Sequence, residues 1–118
     1  MKHLIIGAGA AGITAADQLR KPDPAASITV LDGEGEGDPY ARMAIPYLLS
    51  DQIVETGTHL RRDPDHYRTL RIDIEKGRAA AVDPAASTVR LTDGRVLSYD
   101  RLLIATGSVP SREKVAGI

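Results

Sequence analysis

The residues best suited to chemistry in this chain lie near its start. Glycines stand at Gly7, Gly9 and Gly12, a G-x-G-x-x-G spacing, directly after Lys2-His3-Leu4-Ile5-Ile6. That spacing suits an anionic diphosphate. Gly7 permits a tight turn out of a strand. Gly9 has no side chain, so a pyrophosphate can approach the backbone. Gly12 lets a helix pack close to a sheet. Free N–H groups at the helix start, with the helix dipole, would then face the phosphates. Asp32 falls twenty residues after Gly12, where a ribose hydroxyl needs a hydrogen-bond acceptor. The simpler alternative is an ordinary strand–helix–strand unit with a glycine-rich turn. The flanking residues favour the dinucleotide reading.

Those flanking residues form the elements that must position the glycines and the acid. Leu4-Ile5-Ile6 is a continuous apolar run and reads as a buried strand. Ile13, Ala15, Ala16 and Leu19 supply the apolar face of a helix that stops at Lys21-Pro22. Ile28-Thr29-Val30-Leu31 reads as a second strand ending in Asp32. Gly33 to Pro39 is an acidic loop, read either as a solvated linker or as a rim around the adenosine ribose. Asp32, Glu34 and Glu36 would repel a 2'-phosphate, which disfavours an NADP-type ligand here. Tyr40 to Leu49 is predicted helical, started or interrupted by Pro46, with Tyr47, Leu48 and Leu49 on an apolar face. Arg42, the lone base of that stretch, either pairs with a ligand phosphate or caps a surface helix. Residues 51–62 are polar and ambiguous. Asp63-Pro64 is predicted to cap and open a short helix through Tyr67 and Leu70.

The pattern then changes to strands. Ile72-Asp73-Ile74 alternates, and Arg78–Val82, Thr88–Thr92 and Arg95–Tyr99 read as three consecutive strands. Asp83-Pro84 turns the first pair, and Asp93-Gly94 is a two-residue hairpin signal for the second. Asp23-Pro24-Ala25-Ala26-Ser27 recurs word for word as Asp83-Pro84-Ala85-Ala86-Ser87, which we read as one turn chemistry used twice. Arg101 to Ala105 is a buried strand ending in Thr106-Gly107. A plain NAD-binding Rossmann domain would connect its third and fourth parallel strands by a helix. Here a meander stands in that place. The expected class is α/β: a Rossmann-like half-domain over residues 1–107, whose parallel sheet has an antiparallel three-stranded meander, 77–99, in place of one crossover helix.

Composition narrows the classes further. The 118 residues suit one domain, with 42% hydrophobic and 3% aromatic residues, all of the latter Tyr. The core must therefore be Ala, Val, Leu and Ile. A formal charge of -1 argues against a nucleic-acid partner. No apolar run approaches membrane-spanning length and no signal peptide is visible, so no membrane partner is expected. The absence of cysteine excludes disulfides, thiolate metal sites and thiol redox chemistry within the chain, and suits a cytoplasmic setting. His3, His59 and His66 show no ligand spacing and read as surface residues. No residue stands out as an acid, base or nucleophile, so no catalytic or metal-binding residue is assigned.

With these motifs in place, the chain resembles the FAD-binding part of the pyridine nucleotide-disulfide oxidoreductase superfamily. It is most similar to the NADH oxidase, ferredoxin or rubredoxin reductase and nitrite reductase-like branches. The markers are the three glycines with Ala16 after them, Asp32, Tyr40-Ala41-Arg42, Ile45-Pro46-Tyr47-Leu48-Leu49, and Tyr99-Asp100-Arg101-Leu102-Leu103-Ile104-Ala105-Thr106-Gly107. The resemblance implies that Gly7, Gly9, Ala10, Ala11 and Gly12 form the pyrophosphate turn. Asp32 would bind the adenosine ribose, where most flavin members carry the longer Glu. Arg42 would lie on the flavin side, the Ala79 backbone would read the adenine edge, and Ala105, Thr106 and Gly107 would line the cofactor from below. FAD is the implied cofactor, with NAD(P)H a co-substrate bound outside this chain.

Two departures from the family pattern shape the expectation. The disulfide-reductase branches carry redox cysteines where this chain has Arg42-Met43-Ala44-Ile45-Pro46-Tyr47. Electrons would then pass to oxygen, a small redox protein, a quinone or another prosthetic group. Family members are also several times longer, with a second dinucleotide domain, a return segment and a dimerisation domain. The chain is thus expected to be the first FAD-binding portion of a larger enzyme, with 108–118 a linker toward an NAD(P)H domain. It would lack turnover alone and risk self-association through an unpaired sheet edge. A stand-alone nucleotide-binding module and an NAD-binding dehydrogenase domain remain the other readings.

Overall fold

A computed structural model describes residues 1–34, 37–109, 111 and 116–117 of the chain. Strand β1 (Lys2–Ile6) leads through the glycines into helix α1 (Ala10–Arg20) and back into strand β2 (Ser27–Asp32). Short helices α2 (Ile45–Leu49) and α3 (His66–Thr69) follow, with single 3-10 turns at Arg42–Ala44 and Glu55–Thr58. Strand β3 (Ile72–Lys76) precedes a run of β4 (Ala79–Asp83), β5 (Thr88–Leu91) and β6 (Val96–Ser98), and β7 (Arg101–Ile104) closes the fold. β3, β2, β1 and β7 lie side by side in that order as a parallel sheet, while β4, β5 and β6 form a separate antiparallel sheet. The meander stands between β3 and β7, as the sequence predicts.

Alternation along the strands produces the layers. Successive side chains on a strand point to opposite faces. Ile5, Ile28, Val30 and Ile72 pack with Ile13 and Ala16 of α1. Leu4, Ile6 and Leu31 pack instead with Val89 and Leu91 of the meander sheet. The Leu4-Ile5-Ile6 run is wholly apolar because both faces of its strand are covered, the pattern expected of a buried parallel sheet. The buried hydrophobic core holds only Leu, Ile, Val and Ala, as composition requires.

Several local expectations need correction. Tyr40 is not helical: it bridges to His59, and helix begins as the 3-10 turn Arg42–Ala44 and continues as α2 from Ile45, with Pro46 in its first turn, where a missing N–H is harmless. Its expected apolar face is not buried, since Tyr47 and Leu49 are exposed and Leu48 is half-buried. Asp63 accepts the N–H of Asp65 at 2.9 Å, so it forms a turn before α3 rather than the cap of the helix. The second hairpin is a three-residue connection, with Leu91 N–H donating to the Arg95 carbonyl at 2.8 Å and Gly94 left-handed at φ +92°. His66 and His59 are partly buried and paired rather than free on the surface: His66 Nε2 lies 2.9 Å from Asp17, and His59 Nδ1 lies 3.6 Å from Asp38. His3 is half-buried on β1. Asp17 also binds Arg61, at 2.9 Å from Nε, which ties the segment before α3 to α1.

The repeated pentapeptide does use one turn chemistry twice. Asp23 accepts the N–H of Ala25 at 3.2 Å, and Asp83 accepts that of Ala85 at 3.1 Å. The copies then diverge: Ser27 opens β2, whereas Ser87 takes a left-handed φ of 53°. The former turn is gripped by Arg20, the last residue of α1, which is 8% exposed. Its guanidinium donates to the carbonyls of Leu70, Asp23, Pro24, Ala26 and Arg71, all within 3.1 Å. A planar fork of five donors suits such a knot, and a lysine would not.

Both borders of the parallel sheet stay open among the described strands: β3 pairs only with β2 and β7 only with β1, and on the β7 side Leu103 and Ile104 are exposed. An apolar groove lined by Ile5, Ala15, Leu19, Leu102 and Leu103 runs beside α1. No helix among the described residues is long and apolar enough to cross a membrane. Of the expected linker, residues 110, 112–115 and 118 lie outside the described residues.

Candidate nucleotide-binding site

The glycine turn shows which glycines the fold itself demands. Gly7 has φ +114°, and a Cβ there would sit 2.0 Å from the Ala105 carbonyl oxygen. Its N–H donates to the Leu31 carbonyl at 2.9 Å, holding the turn on the sheet. A Cβ on Gly12 would sit 1.9 Å from the Gly7 carbonyl oxygen. Both positions exclude any side chain for reasons internal to the protein. Gly9 differs. Its φ is -79°, a value any residue adopts, and a Cβ there would meet nothing within 4 Å. The fold gives no reason for glycine at this position. A ligand pressed against the backbone would.

Gly9 is also the cap of α1. Its carbonyl accepts the first helical hydrogen bond, from Ile13 N–H at 3.0 Å, and no side chain caps the helix start. The first turn of α1 carries no acidic residue. Backbone N–H groups there, with the positive end of the helix dipole, form a place for an anion.

Gly7, Gly9 and Ala10 line a cleft of about 490 Å³ together with Asp32, Arg42, Ala79, Ala105, Thr106 and Gly107. That size falls in the range of roughly 300–1,000 Å³ used for small ligands. Nine of the eleven residues singled out from the sequence thus meet at one cleft. Ala11 and Gly12 do not line it: Ala11 is exposed on the first turn of α1, and Gly12 is buried against Gly7.

Asp32 ends β2 at the rim, with its side chain only 5% exposed. One carboxylate oxygen accepts the Glu34 N–H at 3.0 Å, and the other accepts Lys76 Nζ at 2.7 Å. Each oxygen keeps a lone pair for a further donor, such as a sugar hydroxyl. Of the two roles left open for Arg42 by the sequence, the helix cap is not taken, since its guanidinium reaches Glu34 and the Ser108 carbonyl instead. It pairs with Glu34 at 2.5 Å across the mouth of the cleft, and that carboxylate raises its already high pKa. Both partners are more than half exposed, so the pair is weak enough to rearrange. Glu36 lies outside the described residues. The acids expected to repel a 2'-phosphate are not alone, because Lys76 binds Asp32 and Arg78 donates to the Gly33 carbonyl at 3.2 Å.

Sequence reasoning missed Lys76. Its only signal was its place at the end of the third parallel strand, beside Asp32 once the register is known. The ionisable residues lining the cleft are Asp32, Glu34, Tyr40, Arg42 and Arg78. Among the described residues no cluster of His, Cys, Asp or Glu could hold a metal. The cleft offers a ligand bare backbone at the start of a helix and a nearly buried carboxylate at its rim.

The family model for the pyridine nucleotide-disulphide oxidoreductases matches residues 1–118. A probable ferredoxin reductase of Castellaniella defragrans is 40% identical over 119 residues, covering 98% of this chain and 28% of that protein. An NADH oxidase of Methanocaldococcus jannaschii is 32% identical over 99% of this chain and 27% of its own length. Among solved structures, putidaredoxin reductase in its covalent complex with putidaredoxin superposes with a TM-score of 0.88 at 30% identity, over 98% of this chain and 28% of that one. NADH:rubredoxin oxidoreductase from Clostridium acetobutylicum superposes with a TM-score of 0.86 at 28% identity, over 98% and 30%. The chain spans between a quarter and a third of the length of these relatives.

Proposed function

The chain belongs to the pyridine nucleotide-disulphide oxidoreductase family, and on that premise we propose that its cleft holds FAD as the first portion of an NAD(P)H-dependent flavin oxidoreductase. The observation that carries the reading is Gly9, the one glycine of the turn that the fold does not require. A diphosphate resting on its bare backbone supplies the missing reason.

Each residue then has a task. Backbone N–H groups at the start of α1 hold the diphosphate. Asp32 accepts a hydroxyl of the adenosine ribose, with Ala79 beside the adenine. Arg42 exchanges Glu34 for a cofactor phosphate or for the flavin side of the cleft. Ala105, Thr106 and Gly107 support the cofactor from the β7 side. When bound, FAD supplies hydride and single-electron chemistry that no side chain here offers. The chain has no cysteine, so the proposed electron acceptor is a non-thiol one. NAD(P)H would bind to chain beyond these residues, with 108–118 leading toward it. The open border of β7 and the groove beside α1 suit further polypeptide of the same enzyme, and without it they favour self-association.

Titration of the purified chain with FAD, followed by flavin fluorescence, tests the reading, with FMN as the ligand that lacks the adenosine half. Binding of FAD with much weaker binding of FMN is expected. Equal binding of the two would remove the role of the glycine turn and Asp32. Addition of NADH to the FAD-loaded chain should give no steady NADH consumption. Sustained turnover would show that these residues are not merely one portion of the catalyst.

A further inference from the structure

Lys76 is the last residue of β3, and its ammonium joins Asp32 of the cleft to Gly37. Nζ donates to Asp32 Oδ2 at 2.7 Å and to the Gly37 carbonyl at 2.6 Å. The backbone beneath fixes this meeting. Asp32 and Lys76 are register partners, and Gly77 N–H donates to the Asp32 carbonyl at 2.9 Å. A Cβ on Gly77 would approach the side-chain ends of Arg95 and Leu91 at 2.9 and 3.1 Å. Lys76 is 43% exposed while the carboxylate it holds is 5% exposed. Asp32 lines the cleft, whereas Lys76 does not.

Two donors fix the Asp32 carboxylate, Glu34 N–H on Oδ1 and Lys76 on Oδ2. Without Lys76, one oxygen would lose its donor and the side chain could rotate about its last bond. The Gly37 carbonyl would also lose a donor. Resting on the FAD reading above, we propose that Lys76 is a positioning residue for recognition of the adenosine ribose. It does not touch the sugar. It sets the plane of the Asp32 carboxylate, so that the remaining lone pairs meet the ribose hydroxyls.

The test compares ADP with its 2'-deoxy and 3'-deoxy forms on the full chain, by calorimetric titration, for the unsubstituted protein, Lys76→Met and Lys76→Arg. Thermal melting without ligand is recorded in parallel. The unsubstituted chain should prefer ADP over at least one deoxy form. Lys76→Met should weaken ADP by about tenfold, the order expected for one charge-assisted hydrogen bond, and leave that deoxy form nearly unchanged. Lys76→Arg should recover part of the preference. If Lys76→Met does not fold, Lys76→Gln and Lys76→Arg carry the same comparison. Weakening of all ligands by one common factor would mark Lys76 as merely structural and overturn the assignment. So would an unchanged preference. An unsubstituted chain that binds FAD but does not distinguish ADP from either deoxy form would also overturn it, while leaving the FAD reading standing. Failure of the unsubstituted chain to bind either FAD or ADP would overturn both.

Discussion

Replacing the glycines of the turn one at a time separates what the fold needs from what the ligand needs. Gly12→Ala would place a methyl 1.9 Å from the Gly7 carbonyl oxygen, and Gly7→Ala would place one 2.0 Å from that of Ala105, at φ +114°. In both cases the methyl meets a backbone carbonyl, so no side chain can swing aside. Overpacking typically costs about 1–3 kcal/mol, and such contacts belong at or beyond the upper end. Against a total stability of roughly 5–15 kcal/mol, each variant should be strongly destabilised. Gly9→Ala meets nothing within 4 Å. It forfeits the cap preference of glycine, up to about 1 kcal/mol, and regains about 0.4–1 kcal/mol from a stiffer unfolded chain. The net change in stability should be close to zero. Binding should behave differently, because the new methyl stands where a diphosphate would rest. Loss of one charge-assisted hydrogen bond, about 1.5–3 kcal/mol, corresponds to a ten- to hundredfold weaker affinity. Urea denaturation reports the first quantity and fluorescence titration with FAD the second. A Gly9→Ala chain that binds FAD as tightly as the parent would refute the reasoning, as would a Gly12→Ala chain of parental stability.

Arg20→Met should lower stability by about 3 kcal/mol or more, because it strips donors from five carbonyls at a nearly buried site; a shift of less than a third of that in urea denaturation would mean that water replaces the guanidinium. Burial pushes the Tyr67 phenol up to about 12 from its ordinary 10, and its hydroxyl has no hydrogen-bond partner among the described residues. The folded state therefore holds this proton more tightly than the unfolded one. Its contribution is complete below pH ~10 and is lost as pH rises toward ~12. Tyr67→Phe should remove that alkaline loss without reducing stability at neutral pH, and denaturation at pH values on both sides of the window would show an undiminished loss if the tyrosine were not its source. Ile104→Lys, on the exposed border strand, should shift the chain toward monomer in sedimentation measurements; an unchanged distribution would mean that self-association uses another surface.

The parts legible in the sequence are those whose causes are local. Leu4-Ile5-Ile6 and Ile28 to Leu31 declare buried strands because both faces are apolar, and the glycine spacing declares the turn between strand and helix. The meander was legible from turn residues such as Asp83 and Gly94, whose hydrogen bonds and left-handed backbone act within a few positions. Lys76 was invisible because its partner lies 44 residues away and only strand register brings the two together. Arg20 reads as an ordinary basic helix end until the chain around Leu70 folds back onto it. The histidines misled for the same reason: His66 meets Asp17 across 49 residues. Tyr40 to Leu49 misled in the opposite direction. Its helical composition is real but short, and pairing of Tyr40 with His59 outweighs it.

The pairing of β1 with β7 has a consequence for how the molecule comes into being. His3 to Ile6 align with Arg101 to Ile104, so one flank of the opening strand waits for residues made almost a hundred positions later. Contacts so distant along the chain are the slow ones to form, whereas hairpins such as β4–β5 and β5–β6 close quickly. Ala105 supplies the carbonyl that Gly7 leans against. During synthesis, then, the meander can form before β7 exists, and the floor beneath the glycine turn is laid only once β7 has been made and docks.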